Sequence, residues 1–241
     1  MDMNDNHKIH KARITLKEIL DIRGYDTSTI PELSLEDVIK LKESSDETNL
    51  CNFSVSHQDI PEWKLHVIFY KFSKSINDNT SISKATLEAD IKEFYTSINQ
   101  EDDIIIIIPS KITTAYKTYI SWIDKINIST YDTKDKELVK KITDNKNYSD
   151  RHLHHIQIFN INSFVINKLK HEMVPYHEKV TDDTVIKQML MENDVDNISQ
   201  FPVILKHDAI GELLGLVPND LVKITRYSNT SGVSIFYRIC K

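Results

Sequence analysis

Three groups of side chains in this sequence have types and spacings that could do chemistry. "RHLHH" sets His152, His154 and His155 together, with His171 and His177 downstream, and grouped imidazoles are a common start to a transition-metal site. Structural zinc needs about four ligands in a tetrahedron, usually with cysteine among them. Neither Cys51 nor Cys240 lies near the run, so the histidines read as structural and no metal is expected. Glu101, Asp102 and Asp103 stand directly before an isoleucine run. Metal-dependent nucleases place two or three carboxylates and a lysine in that way to hold magnesium. No acidic-x-Lys triplet follows on a neighbouring strand, since "DTK" at Asp132 to Lys134 falls in a charged stretch; nuclease activity is the remote alternative. The third group lies in "RYSNTSGVSIFYRIC", residues 226 to 240. Its arginines can make paired hydrogen bonds to carboxylates or carbonyls, and its aromatics supply contact area, which is the chemistry of a docking surface. There is no Walker loop, GxSxG or CxxC, and only four glycines in all, so neither a phosphate cradle nor a nucleotide-binding fold is expected.

The elements that must position these groups follow from periodicity. Ile9, Ala12, Leu16, Ile19 and Leu20 predict a first helix that Gly24 ends in a left-handed turn. Ser34, with Asp37 three residues on, opens a second helix over "LSLEDVIKL". Leu65, Val67 and Phe69 alternate within a run of strand formers. Ile104 to Ile108, closed by Pro109, predicts a strand buried on both faces, as in a sheet covered by helices. Helical spacing recurs at Leu87, Ile91, Phe94, Tyr95 and Ile98, and again at Tyr116, Tyr119, Ile120 and Ile123. Residues 127–151 are polar and charged and predict a surface excursion. Strand-like runs at Ile156–Phe159 and Phe164–Ile166 then complete the sheet.

Beyond residue 166 the pattern predicts a second unit. Thr181 caps a helix over "TDDTVIKQML", with Asp182 and Asp183 at the positive end of its dipole. Asp208 caps another helix that Gly215 ends, and "VPND" turns with Asn219 at positive φ. Strands Leu221–Arg226 and Ser234–Ile239, joined through "SNTSG", form a terminal hairpin. The expected fold is an α/β domain over 1–166, a mixed sheet flanked by helices, followed by a small α+β domain over 167–241 ending in a β-hairpin.

Composition narrows the function. The chain has 241 residues, room for two domains, and a net charge of −6 with a pI near 5.9. Affinity for nucleic acid therefore cannot come from the whole surface and must be local. The longest apolar run is five residues, against roughly 20 needed to cross a bilayer, so no membrane partner is expected. "MDMNDNHKIHKARITLKE" has no secretory pattern, which points to an intracellular site and two reduced thiols. Lys8, Lys11, Arg13 and Lys17 form a basic cluster on helix one that reads as an exposed face.

"HEMVPYH", "SQFPVI", "HDAIGELLGL", "NDLVKITRYSNTSG" and "YRIC" follow one another in the order and spacing of the fifth subunit shared by nuclear RNA polymerases, and the part from Asn167 onward resembles the whole of that subunit's shorter archaeal counterpart. "TLKEILDIRGY" followed by "LSLEDV" resembles the start of the N-terminal jaw domain that eukaryotic members add. The resemblance implies a non-catalytic subunit of a multisubunit DNA-directed RNA polymerase. Its C-terminal assembly domain would dock on the largest subunit, and its jaw would lie beside downstream double-stranded DNA. The chain would need no cofactor, the polymerase magnesium being held by another subunit, and would form no homo-oligomer. Docking and turn roles fall on His171, Pro175, His177, Lys223, Arg226, Ser228, Gly232, Tyr237 and Arg238. "PSKITTAYK" resembles the family's "ITPSAMK" segment beside DNA, one residue shorter and without the inner proline, which makes Lys111, Thr113, Thr114 and Lys117 the phosphate-contact candidates.

The chain departs from the family pattern at several places. Ala209 and Glu212 stand where proline and often arginine occur, Asn219 replaces a turn glycine, and Val233 replaces a frequent arginine. These departures imply a divergent copy fitted to an equally divergent largest subunit, as a viral enzyme would carry. The location would then be cytoplasm or virion, and the nucleus for a cellular polymerase. They also leave room for an alternative, a transcription regulator of the same fold that binds polymerase only transiently.

Overall fold

Ile9, Ala12, Leu16, Ile19 and Leu20 all fall on one buried stripe of helix α1, Asp5–Ile22. Gly24, at φ 87°, ends it in a Schellman turn, with Gly24 N–H bonded to the Asp21 carbonyl and Tyr25 N–H to the Leu20 carbonyl, both at 3.0 Å. Helix α2, Leu35–Ser44, opens on the predicted capping box. Ser34 Oγ accepts from Asp37 N–H at 3.1 Å, and Asp37 Oδ2 accepts from Ser34 N–H at 3.0 Å. The computed structural model of the chain describes residues 5–44, 51–70, 102–109, 156–228, 230 and 232–241. The helical patterns at Leu87–Ile98 and Tyr116–Ile123, the charged stretch 127–151 and the "RHLHH" histidines lie outside the described residues. Two compact units divide the described chain between Ile166 and Asn167.

In the first unit, β1 (Phe53–Ser56), β2 (Lys64–Phe69), β3 (Asp103–Ile108) and β4 (Ile156–Asn160) form one sheet in that order. β1 pairs antiparallel with β2; β2, β3 and β4 run parallel. Every residue of β3 is buried, as expected of a central parallel strand. The run Phe164–Ile166 is not a strand. Asn160 caps a single 3-10 turn at Ile161–Ser163, its side chain accepting from Asn162 N–H, and this folds Phe164 back onto Phe159 with ring centroids 5.0 Å apart. The turn also packs against α1.

The second unit has its own sheet, built from β5 (Tyr176–Val180), β6 (Val203–Ile204), β7 (Leu221–Ser228) and β8 (Gly232–Cys240) in the order β5-β7-β8-β6. Helix α3, Asp183–Glu192, is capped by Asp182 rather than Thr181. Asp182, directly before the first helical residue, has extended dihedrals and its carboxylate accepts from both Thr184 N–H and Oγ, the geometry of an N-cap. Helix α4, Ala209–Leu214, is capped by Asp208 and closed by Gly215 at φ 65°. Asn219 takes φ 77° in the turn. β7 and β8 pair as far as Ser228 and Gly232, so the hairpin strands are longer than Arg226 and Ser234 would allow. None of the described helices is long and apolar enough to cross a membrane.

Candidate functional site

The hairpin's register sorts its side chains onto two faces. Leu221, Lys223, Thr225 and Tyr227 lie opposite Ile239, Tyr237, Ile235 and Val233 on one face. Val222, Ile224, Arg226 and Ser228 lie opposite Arg238, Phe236, Ser234 and Gly232 on the other. At the base both faces are covered. Met189, Phe201, Leu221 and Ile239 form one cluster, with Ile186 and Leu190 of α3 against it. Ile204, Leu214, Leu216, Val222, Ile224 and Cys240 form another, with Ile210 of α4. Toward the tip the cover ends, and Tyr227, Val233, Ile235 and Phe236 are 75%, 58%, 50% and 51% exposed.

The predicted docking residues separate under this geometry. Arg226 and Arg238 share a face and are exposed, with Arg238 Nη1 donating to the Val203 carbonyl at 3.4 Å. His177 lies on that same face, opposite Ile224, and its Nδ1 donates to the Pro175 carbonyl at 2.6 Å. Lys223 is on the other face, 3.9 Å from its cross-strand partner Glu178. Tyr237 is half-buried against Phe201, centroids 5.9 Å apart, so it anchors the hairpin to the core. Ser228 Oγ lies 3.1 Å from Thr230 Oγ1 and Gly232 takes φ 70°; both build the turn. His171 is exposed beside the 3-10 turn Lys168–Lys170, its Nδ1 accepting from Met173 N–H.

Sequence reasoning missed the exposed apolar residues Tyr227, Val233, Ile235 and Phe236. The signal was present: from Val233 to Tyr237 apolar residues occupy both parities of the strand, which one covered face cannot explain. The charge is also uneven. Residues 221–241 carry Lys223, Arg226, Arg238 and Lys241 and no carboxylate side chain, in a chain of net charge −6. The strand pair is held at its base by Asp220, buried, which accepts from Val217 N–H at 2.9 Å and pairs with Lys179 at 3.0 Å. Burial, with Asp220 beside it, pushes the Cys240 thiol up to about 11. Of the positions that depart from the family pattern, Glu212 lies 3.4 Å from His207 Nδ1 and Ala209 opens α4.

In the first unit the acidic pair before β3 is directed inward. Asp102 lies 2.8 Å from His66 Nε2. Asp103, 2% exposed, accepts from Trp63 Nε1 at 2.9 Å and from Tyr25 Oη at 3.4 Å. These neighbours engage different partners rather than converging on one point, and among the described residues no three metal-ligating side chains cluster. Half-buried Arg23 donates to Gln157 Oε1 at 2.9 Å; desolvation of its guanidinium lowers its pKa to about 10, with Tyr25 and Asp103 opposing the shift. The basic cluster on α1 is not a single exposed face. Arg13 is 5% exposed, donates to the Cys51 and Pro31 carbonyls, and lies over the Phe53 ring at 4.9 Å. Two carbonyls and a ring face replace its water, which is why a cation is tolerated there. Lys17 pairs with Glu32 at 2.9 Å. The phosphate-contact candidates Lys111, Thr113, Thr114 and Lys117 lie outside the described residues, which stop at Pro109 beyond the end of β3.

Residues 166–240 match the family model described as RNA polymerase Rpb5, C-terminal domain. Curated relatives named "DNA-directed RNA polymerase subunit Rpo5" align over a similar length of chain. The Methanococcus vannielii protein is 39% identical over 69 residues, which is 29% of this chain and 86% of the relative. The Methanosarcina barkeri protein is 38% identical over 71 residues, 30% of this chain and 88% of the relative. The Sulfurisphaera tokodaii protein is 38% identical over 73 residues, 30% and 84%.

Proposed function

The chain belongs to the Rpb5 and Rpo5 family of RNA polymerase subunits, and on that premise we propose that it is a non-catalytic subunit of a multisubunit DNA-directed RNA polymerase whose active site lies in other chains. In this reading residues 167–241 are an assembly domain docking on the largest subunit, and residues 1–166 are a jaw beside downstream DNA. The observation that carries the docking role is the hairpin tip, where Arg226 stands among the exposed apolar side chains Tyr227, Val233, Ile235 and Phe236. Large apolar residues with arginine, depleted of carboxylates, are the composition of an interface centre. The jaw role rests on the resemblance of "TLKEILDIRGY" and "LSLEDV" alone, and Lys111, Thr113, Thr114 and Lys117 are its phosphate contacts.

Affinity purification of the tagged chain from its native source, with a salt wash and quantitation of partners, tests the reading. The two largest polymerase subunits should return at equal stoichiometry. Substoichiometric, salt-sensitive recovery would favour a transient regulator instead. Replacing Arg226 and Arg238 together with alanine should lower retention while leaving the melting temperature of the free chain unchanged; full retention would remove both from the docking surface.

A further inference from the structure

β8 is longer than its outer neighbour. β7 pairs with it from Gly232 to Ile239, whereas β6 pairs only with Ile239 and Cys240. Backbone bonding shows which amides face outward. Cys240 N–H donates inward to the Asp220 carbonyl, while Ile239 and Lys241 N–H donate outward to the Pro202 and Ile204 carbonyls. The alternation of an antiparallel ladder carries this along the strand. Val233, Ile235 and Tyr237 therefore turn their N–H and C=O groups to the outer edge. No described strand pairs there. An edge of this length with apolar side chains is what proteins normally shorten, charge or cover, and among the described strands nothing covers this one.

From this we infer that the β8 edge, Val233 to Arg238, receives an extended acidic segment of another polymerase subunit as an added strand. The inference rests on the subunit reading above and specifies the mode and chemistry of docking. Strand addition takes its affinity from main-chain hydrogen bonds and its specificity from alternate side chains. On one face the incoming residues would lie beside Val233 and Ile235, so they would be apolar. On the other they would lie beside Phe236 and Arg238, with small Ser234 leaving a path to Arg226 on β7. Carboxylates on that face would meet the Arg238 guanidinium at one end and, across Ser234, the Arg226 guanidinium at the other, in a stretch with no acidic side chain of its own. Nucleic acid would satisfy the charges but offers neither strand-like amides nor alternating apolar groups.

Hydrogen exchange with residue-level fragmentation, comparing the free full-length chain with the same chain inside purified polymerase, tests this directly. In the free chain the Val233, Ile235 and Tyr237 amides should exchange at least about tenfold faster than Ser234 and Phe236, which bond to β7; in the polymerase the difference should vanish. Protection already present in the free chain would mean that its own segment holds the edge, and would overturn the inference. So would fast exchange persisting in the polymerase, which would make the contact one of side-chain faces only. Protection induced by a DNA duplex instead of polymerase would replace the protein occupant with nucleic acid. Ile235→Pro removes an outward amide and no β7 bond, so retention in polymerase should fall about tenfold, the worth of one or two such bonds. Ile235→Ala, which keeps the amide, should lose less. Retention of Ile235→Pro at wild-type level would sink the added strand while leaving the subunit reading intact. Failure of the wild-type chain to co-purify would instead strike at the subunit reading.

Discussion

β3 and β8 are both rich in apolar side chains, yet they end in opposite circumstances. β3 lies between two parallel strands and all five of its isoleucines are buried. β8 begins in solvent, with Val233, Ile235 and Phe236 half-exposed or more, and becomes buried only at Ile239 and Cys240. The first strand satisfies its apolar surface within the chain. The second leaves a share for something else, and exposed large apolar groups beside arginine mark interaction sites more often than defects. The polar groups divide similarly: Asp103 and Arg23 are engaged inside the first unit, whereas Arg226 toward the hairpin tip and Arg238 nearer its base are exposed in the second.

The largest loss of stability is expected from Asp103→Ala. Removing the buried acceptor of Trp63 and Tyr25, which also faces the half-buried Arg23 charge, should cost about 3–5 kcal/mol. Tryptophan fluorescence during denaturant unfolding reads it, and a wild-type midpoint would show that the carboxylate does not hold the network. Next is a matched pair. Ile106→Ala in β3 should destabilise by about 2–5 kcal/mol through its cavity, while Ile235→Ala should change the free chain by no more than about 0.5 kcal/mol. Equal losses would mean that the two strands are alike after all.

A further effect appears only at alkaline pH. The Cys240 thiol is raised from 9.0 to about 11 in the folded chain, so between those values the native state binds more protons than the unfolded state. Stability should therefore be unaffected below about pH 9 and fall as pH rises toward 11, by on the order of 2 kcal/mol. Cys240→Ala should flatten that decline. An unchanged slope would assign the alkaline loss to other groups.

Much of the fold was legible because it is locally encoded. The Ser34–Asp37 box, the Gly24 and Gly215 stops, the buried isoleucine run and the positive φ of Asn219 each depend on a few adjacent residues. β1, β5 and β6 were not legible. "YHEKV" in β5 has little apolar alternation, and it becomes a strand because β7 supplies a partner. Thr181 and Asp182 are both good caps by type, and only the backbone geometry separates them. The C-terminal motifs identified the family, but not which of their residues face outward.

The residues alone settled the helix stops at Gly24 and Gly215, the doubly buried strand, the cationic tail of an acidic chain and the family of its C-terminal residues. Tertiary structure alone decided that Arg13 is buried while Lys11 is exposed, that Tyr237 joins the core while Ile235 does not, and that Asp102 and Asp103 take different partners. Caps and periods are set by neighbours within a few residues. Burial is set by whichever distant element arrives to cover a face, and over the outer half of β8 no described element of this chain does.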